Sequence, residues 1–250
     1  MGQRTSYPPG TFSYAELETS DADAAQAFYT SVFGWSYQAV PMGDDMPPYH
    51  LAMRDGAQVA ALFDSERPPH WNCYVTVESV DGSAARAAEL GGSVVAEPFD
   101  VMTLGRMAVV ADPAGAMVSL WEPREHIGSA LVNQPGALTW NDLVLPDADA
   151  VTGFYGDLFG WTIAEMPDAG GYRTIANGDR SNGGIFPIPD VVPAWIPYFG
   201  HEDVDRLVGE VEGLGGRVHD GPRDVPAGRI AVLADPQAAV FAVWTGDYED

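Results

Sequence analysis

Two acidic residues, Glu16 and Asp142, stand 126 positions apart (142 − 16) in similar surroundings. Each lies in a segment where apolar and polar residues alternate, and each follows an aromatic residue by two positions, Tyr14 and Trp140. Alternation puts each carboxyl on the same strand face as its aromatic neighbour. Burial there raises a carboxyl pKa, which favours acid–base catalysis or binding of a ligand hydroxyl or amine. We predict Glu16, Asp142 and Tyr14 as catalytic residues; the alternative is carboxylates held by a neighbouring strand or an arginine.

Other aromatic and polar side chains are predicted to face the same cavities. Strand alternation turns them to the side occupied by the two carboxyls. Tyrosine donates to a carbonyl or phenol and tryptophan stacks on a planar ligand, although both also serve as wall or core packing. The predicted substrate-binding residues are Trp140, Asn72, Tyr74, Tyr198, Ser119, Trp121 and Trp244.

The two carboxyls are related because the chain repeats itself. The repeated pairs are DADA at 21–24 and 147–150, FY at 28–29 and 154–155, FGW at 33–35 and 159–161, LGG at 90–92 and 214–216, and DP at 112–113 and 235–236. The offset falls from 126 to 123, as short loop deletions would produce. The sequence therefore predicts two homologous domains, 1–125 and 137–250, joined by a linker at 126–136.

Each half divides again into two units of strand, helix and three strands. The predicted modules span about 12–63, 70–122, 138–186 and 195–245, which gives an α+β fold of four βαβββ modules. Asp21 is expected to cap the first helix and Gly34 to end it. The helix at 204–214 is predicted to be the best formed because its apolar residues make one stripe. Pairing of modules within or across the halves is left open.

Composition excludes several classes of partner. Acidic residues number 36 against 12 basic ones, a net charge of −24, and all basic residues are arginine. Such a chain repels nucleic acid and anionic membranes, and without lysine it cannot anchor pyridoxal phosphate. No apolar run approaches the ~20 residues of a membrane span. We expect a cytoplasmic monomer or homodimer that binds a small neutral or cationic aromatic ligand.

Three further residues are interpreted as structural. Arg106 and Arg229 precede the last hairpin of each half, where ion pairs with Asp112 or Asp235 are more plausible than an anion site. Cys73, the single cysteine, alternates onto the helix side of its strand and is expected to be an inert core thiol.

The order of elements, the FYxxxFGW helix at 28–35 and the DPxG turn at 112–115 resemble the vicinal-oxygen-chelate superfamily. That superfamily includes glyoxalase I, bleomycin-resistance proteins and extradiol dioxygenases. The resemblance covers about residues 12–245 and is strongest to the tandem glyoxalase-like proteins of actinobacteria. It implies two tandem glyoxalase-like domains with concave mixed sheets.

The resemblance also implies where a metal would bind. Relatives hold it with His, Gln or Glu on the first and last strands of the modules. The matching positions here are Tyr14 and Trp140, Asn72 and Ile196, and Ser119 and Ala242. These side chains are poor or impossible ligands for a divalent ion, and the five histidines are expected to be separate packing or surface residues. We therefore predict no metal and no cofactor.

Three functions compete. The first is a metal-independent enzyme that uses Glu16 or Asp142 to isomerise, hydrate or dehydratively cyclise a planar metabolite, with secondary metabolism as one setting. The second is a protein that binds and sequesters a drug or metabolite without chemistry, as bleomycin-resistance relatives do. The third is a metal-dependent lyase or dioxygenase, which the missing ligands disfavour. The sequence favours the first because unused buried carboxyls are costly.

Overall fold

A computed structural model describes residues 2–43 and 47–248. Strands in the first half are β1 (Phe12–Thr19), β2 (Ser36–Val40), β3 (Tyr49–Arg54), β4 (Ala57–Asp64), β5 (His70–Thr76), β6 (Ser93–Val101), β7 (Gly105–Ala111) and β8 (Met117–Pro123). Strands in the second half are β9 (Leu138–Leu145), β10 (Thr162–Glu165), β11 (Arg173–Asn177), β12 (Arg180–Pro187), β13 (Ala194–Gly200), β14 (Arg217–Val225), β15 (Gly228–Ala234) and β16 (Val240–Gly246). The helices are α1 (Ala22–Phe33), α2 (Val80–Glu89), α3 (Asp149–Phe159) and α4 (Val204–Glu210). Within the described residues, this order confirms the four predicted βαβββ modules.

The strands form two mixed sheets with identical topology. The first has the order β2-β3-β4-β1-β5-β8-β7-β6, and the second β10-β11-β12-β9-β13-β16-β15-β14. The first strands of the two modules in each half, β1 with β5 and β9 with β13, pair antiparallel at the centre. The modules of one half therefore share a sheet, which settles the pairing that the sequence left open.

The hydrophobic cores combine modules differently from the sheets. One core joins α1 and the first module to α4, β13 and β16 of the fourth module. The other joins α2 and the second module to α3, β9 and β12 of the third. Helices of both halves thus lie between the two sheets, and each half completes the core of the other.

Buried hydrogen bonds reinforce this junction. The Tyr29 hydroxyl on α1 donates to Asp235 Oδ2 in the other half at 3.1 Å and accepts from Trp71 Nε1 at 3.1 Å. The repeat equivalents are Tyr155, Asp112 and Trp195, with both distances 2.9 Å. The FY and DP motifs are therefore partners across the junction between the halves.

Both arginines before the last hairpin form ion pairs, but the predicted partners were wrong. The observed partners are Asp81 and Asp100 for Arg106, and Asp205 and Asp224 for Arg229. Asp112 and Asp235 instead turn inward, where main-chain amides of their own turns and the junction tyrosines occupy their oxygens. Cys73 is buried, as expected, and burial raises the pKa of its thiol.

The observed ends of α1 match the sequence-based prediction, but those of α4 do not. The Asp21 side chain accepts from Ala24 N, and Gly34 ends α1 in the left-handed region. The segment at 204–214 was wrongly predicted as the best helix: α4 stops at Glu210 and continues as a 3₁₀ turn, Val211–Leu214. Gly209 and Gly213 lower helix propensity there, and Leu214 is 37% exposed.

No described helix has the length and apolar character needed to cross a membrane.

Candidate functional site

Each sheet has one face that points away from the helices, and we call these faces the first and second cups. The first cup is lined by Tyr14, Ala61, Tyr74 and Trp121, with Tyr49, Val101 and Met107 beside them. The second cup is lined by Tyr198, Ile230, Ala242 and Trp244, with Trp140, Ile196, Val225, Val232 and Tyr248 beside them. Most of the predicted site residues therefore line the two cups, in two separate groups.

In the first cup, Glu16 is bound by two tyrosine hydroxyls. Tyr49 donates to Glu16 Oε2 at 2.5 Å and Tyr74 to Oε1 at 2.8 Å. Tyr14 has a side-chain hydrogen bond to Tyr49 and accepts from Gln58 Nε2 at 2.6 Å. Tyr14 therefore acts on the carboxyl through Tyr49, at the start of a chain of hydroxyls that ends on Glu16.

The second cup repeats this arrangement around Asp142. Tyr172 donates to Asp142 Oδ1 at 2.8 Å, and Tyr198 also has a side-chain hydrogen bond to this carboxyl. Trp140 takes the place of Tyr14 and donates from Nε1 to Oδ1 at 2.8 Å. Both cups thus hold a carboxyl between two tyrosines from β3 and β5, or from β11 and β13.

The shorter acid of the second cup is matched by a smaller residue beside it. Asp142 lies next to Gly184 on β12, whereas Glu16 lies next to Ala61 on β4. A Cβ on Gly184 would lie 2.0 Å from the Tyr172 hydroxyl and 2.6 Å from Asp142 Oδ1. Glycine is required there because the tyrosine passes over the strand to reach the carboxyl.

Burial moves the pKa of the carboxyls towards neutral pH and the pKa of the tyrosines away from it. Burial raises the pKa of Glu16 and of Asp142 above their ordinary values, while the donated hydrogen bonds oppose that shift. Burial and the adjacent carboxylate raise the pKa of Tyr49, Tyr74 and Tyr198, so these hydroxyls keep their protons. Each cup therefore pairs a proton acceptor with two fixed donors.

The remaining predicted site residues lie close by with other partners. Asn72 donates to Glu18 Oε1 at 3.0 Å instead of facing open space, and Glu18 is also bound by Arg67 at 2.6 Å. Ser119 is buried and has a side-chain hydrogen bond to Tyr74. The two tryptophans form cup walls with their N–H groups satisfied by main-chain oxygens: Trp121 donates to His126 O and Trp244 to Ala227 O.

The comparisons with known proteins agree with this architecture. The model of the glyoxalase/bleomycin resistance protein/dioxygenase superfamily matches residues 11–120. The protein named "Putative glyoxylase CFP32" from Mycobacterium tuberculosis is 39% identical over 254 residues, covering 97% of both chains. The chain belongs to the glyoxalase/bleomycin resistance/dioxygenase superfamily. The anthracycline biosynthesis protein DnrV of Streptomyces peucetius is 31% identical, with 96% of this chain and 94% of that one covered.

Solved structures of the superfamily show the same fold. The Mn(II)-bound glyoxalase from Novosphingobium aromaticivorans has a TM-score of 0.69 at 17% identity, covering 100% of this chain and 84% of that one. The 2,3-dioxygenase LapB from Pseudomonas sp. KL28 has a TM-score of 0.67 at 15% identity, covering 97% and 94%. Identities this low bear on fold alone.

The superfamily includes metal-binding members, but the cup residues do not fit a metal centre. Among residues 2–43 and 47–248, His, Cys, Asp and Glu nowhere gather in a group of three. The second cup offers one carboxyl, Asp142. In the first cup both oxygens of Glu16 already accept from tyrosines, and Glu18 is bound by Arg67 and Asn72. Most surrounding positions hold tyrosine, tryptophan or serine, which are unsuited to a stable divalent site, and Nδ1 of His126 in the first cup already accepts from Gly128 N.

Four cup residues escaped sequence reasoning. Tyr49 and Tyr172 lie 123 positions apart (172 − 49), the offset of the later repeats, and that spacing would have paired them. His126 was expected to be a separate packing or surface residue, yet its ring packs 5.1 Å from Tyr14 in the first cup. Arg223 acts electrostatically on the second cup, although nothing in its sequence context places it there.

Two clefts lie outside the cups, along the junction between the halves. One of about 280 Å³ is lined by residues that include Gly10, Val77, Ser79 and Phe159. The other, about 210 Å³, includes Phe33, Arg54, Gly136 and His201. Neither cleft is lined by a predicted site residue, and neither contains Glu16 or Asp142.

Proposed function

We propose that this protein is a metal-independent member of the superfamily that moves a proton on a small planar metabolite. The observation that carries the proposal is the carboxyl fixed between two tyrosine hydroxyls on an aromatic-lined surface, built twice with different acids. Relatives named for anthracycline biosynthesis support a role in secondary metabolism.

Glu16 supplies the base and acid of the proposed reaction. Its carboxylate takes a proton from the substrate, and the resulting acid returns it to another atom of the same molecule, which is an isomerisation. Alternatively, the acid protonates a leaving hydroxyl that departs as water. Once Glu16 has taken up the proton it is a weaker acceptor, so Tyr49 or Tyr74 can turn its single hydroxyl proton from Glu16 to the substrate oxygen on which charge develops. A raised carboxyl pKa suits both directions because it brings the two protonation states closer in energy at neutral pH.

The first cup suits an uncharged or cationic planar ligand. Its carboxyls are Glu16 and Glu18, and Arg67 is already paired with Glu18 at 2.6 Å. The partly buried Tyr49, which stacks on Phe63, offers ring surface for a planar ligand, whereas Tyr14 and Trp121 are 5% and 7% exposed and belong to the packed wall. With a net charge of −24 on the chain, a neutral or cationic aromatic molecule meets no repulsion.

The second candidate function is sequestration of a drug or metabolite without chemistry. It is favoured by the same hydrogen bonds, because a carboxyl already satisfied by two donors can be a fixed part of a binding surface. The two functions differ in whether the bound molecule is changed.

Native mass spectrometry after incubation with a metabolite extract separates these functions. A metabolite consumed to a product of isomeric or water-shifted mass is expected, with loss of turnover in Glu16→Gln and retained binding. Glu89→Gln, the same chemical change on the exposed face of α2, is the matched control and should turn over normally. Binding without conversion would identify a sequestering protein.

The same spectra test metal independence. The expected mass carries no stoichiometric metal, and turnover should survive exhaustive treatment with a chelator. One metal ion per cup, with activity lost on its removal, would refute the proposal. If Glu16→Gln and Asp142→Asn together leave the rate unchanged, the carboxyls have no part in the reaction.

A further inference from the structure

The two cups differ in charge at one equivalent position of the outer wall. Phe99 on β6 pairs with Met107, and Arg223 on β14 pairs with Ile230. Met107 and Ile230 are repeat equivalents that line the first and second cups. Residues directly opposite on antiparallel strands point to the same face. The second cup therefore has a guanidinium where the first has a phenyl ring, which is 46% exposed.

Arg223 reaches across the second cup. Its guanidinium carbon lies 5.7 Å from the ring centroid of Phe186 on β12, and four strands separate β12 from β14. The Phe186 ring in turn lies 6.0 Å from that of Tyr172, which binds Asp142. A cation–π contact thus holds the positive charge beside the candidate acid. The charge also opposes the effect of burial on the pKa of Asp142.

Much of the hydrogen-bonding capacity of this guanidinium is unused. Nε donates to Asp220 Oδ2 at 2.8 Å, but that aspartate is 57% exposed and a pair of this kind is weak. Within the described residues, the two Nη groups have no acceptor. In the first cup, by contrast, Arg67 is bound by Glu18, a carboxylate whose side chain is only 3% exposed.

Local charge outweighs net charge inside a cup. The net charge of −24 repels anions at long range, but screening at physiological salt limits that field to about 8 Å. A guanidinium with free donors binds a carboxylate in two parallel hydrogen bonds. In the second half, Val144 occupies the position equivalent to Glu18. No acid at that position therefore competes with a ligand for Arg223.

We propose that the second cup is a site for a planar ligand that carries a carboxylate or another acidic oxygen, with Arg223 as the residue that selects it. The ring lies against the aromatic wall of the cup, and the acidic oxygens accept from the two Nη groups. The first cup, with Phe99 at this position, has no such preference. The proposal rests on the proposed function for the premise that the cups bind small molecules, and it narrows the ligand class for one of them.

Two isosteric probes, 2-naphthoate and 2-naphthamide, test this preference on the whole protein. Binding is followed by the indole N–H resonances of Trp140 for the second cup and Trp121 for the first, assigned through their phenylalanine variants. Naphthoate should bind the second cup at least about fivefold more tightly than naphthamide, as expected for a charge-assisted hydrogen bond at a half-exposed site. The first cup should bind naphthoate no more tightly than naphthamide.

Substitutions of Arg223 and of Phe99, its equivalent in the first cup, test which residue gives the preference for naphthoate. Arg223→Gln should abolish it, while Arg217→Gln, the same charge change at the exposed start of β14, should leave it intact. Phe99→Arg should create a preference for naphthoate in the first cup, and this gain does not depend on how well Arg223→Gln folds.

The outcomes separate this proposal from the proposed function. Equal affinity of the two probes at Trp140, or a preference that survives Arg223→Gln, would overturn the anion-selective site and leave proton transfer in the first cup untouched. If neither probe shifts Trp140 or Trp121, the cups do not take planar ligands of this size, and both proposals are wrong.

Discussion

Replacing Tyr155 with phenylalanine removes the hydroxyl that joins the two halves through Asp112. The side chain is fully buried, and its oxygen donates to Asp112 Oδ2 and accepts from Trp195 Nε1, both at 2.9 Å. The variant leaves two buried polar atoms without their partner, and each such loss costs about 1–3 kcal/mol. We expect the free energy of unfolding to fall by about 2–4 kcal/mol at neutral pH, and Tm by about 5–15 °C for a chain of this size.

The loss should depend on pH in a definite direction. Burial raises the pKa of Asp112, so the folded protein binds its proton up to a higher pH than the unfolded chain does. Stability from this group is therefore complete below the unfolded pKa and declines as pH rises towards the folded pKa. The Tyr155 hydroxyl favours the ionised carboxylate, and its removal raises the folded pKa further. The deficit of Tyr155→Phe should grow from pH 4 to pH 7.5.

Urea denaturation at several pH values measures both effects. Tyr37→Phe is the matched control, because the Tyr37 hydroxyl is buried without a hydrogen-bond partner among the described residues. Removing that hydroxyl should cost nothing or stabilise slightly. Tyr29→Phe, which breaks the equivalent bond to Asp235, should resemble Tyr155→Phe. A Tyr155→Phe protein no less stable than Tyr37→Phe, or a deficit independent of pH, would refute the reasoning.

Three further predictions concern the cups and core. Tyr74→Phe should raise the pKa of Glu16, measured by carbon NMR of its carboxyl, because the ionised form loses a donor; an unchanged or lower value would contradict the assigned bond. Gly184→Ala should disrupt the second cup and destabilise the protein. Gly153→Ala, in open space within α3, should instead stabilise the protein by about 0.5–1 kcal/mol. Equal effects of the two substitutions in thermal unfolding would contradict the requirement for glycine at position 184. Cys73 should react with a thiol reagent only at the rate of unfolding, and rapid labelling in native buffer would show that it is not buried.

The repeat allowed the architecture to be predicted from the sequence. FGW and DP motifs at nearly constant spacing indicated two halves and four modules, and strand alternation placed Tyr14 with Glu16 and Trp140 with Asp142 on common faces. These features are local or periodic along the chain, so they need no knowledge of which strands become neighbours. The same alternation correctly assigned Cys73 to the buried side.

The tertiary structure decided which residues meet. Tyr49 reaches Glu16 only because the sheet order places β3 one strand beyond β4, so that the tyrosine extends across β4 to β1. Arg223 reaches Phe186 only because its side chain extends across the second cup from β14 towards β12. The predicted partners of Asp112 and Asp235 were wrong for the same reason, because the tyrosines that bind these aspartates lie in the other half of the chain. Sequence periodicity determines which face a side chain occupies, but contacts between distant segments depend on strand order and domain packing, which periodicity does not encode.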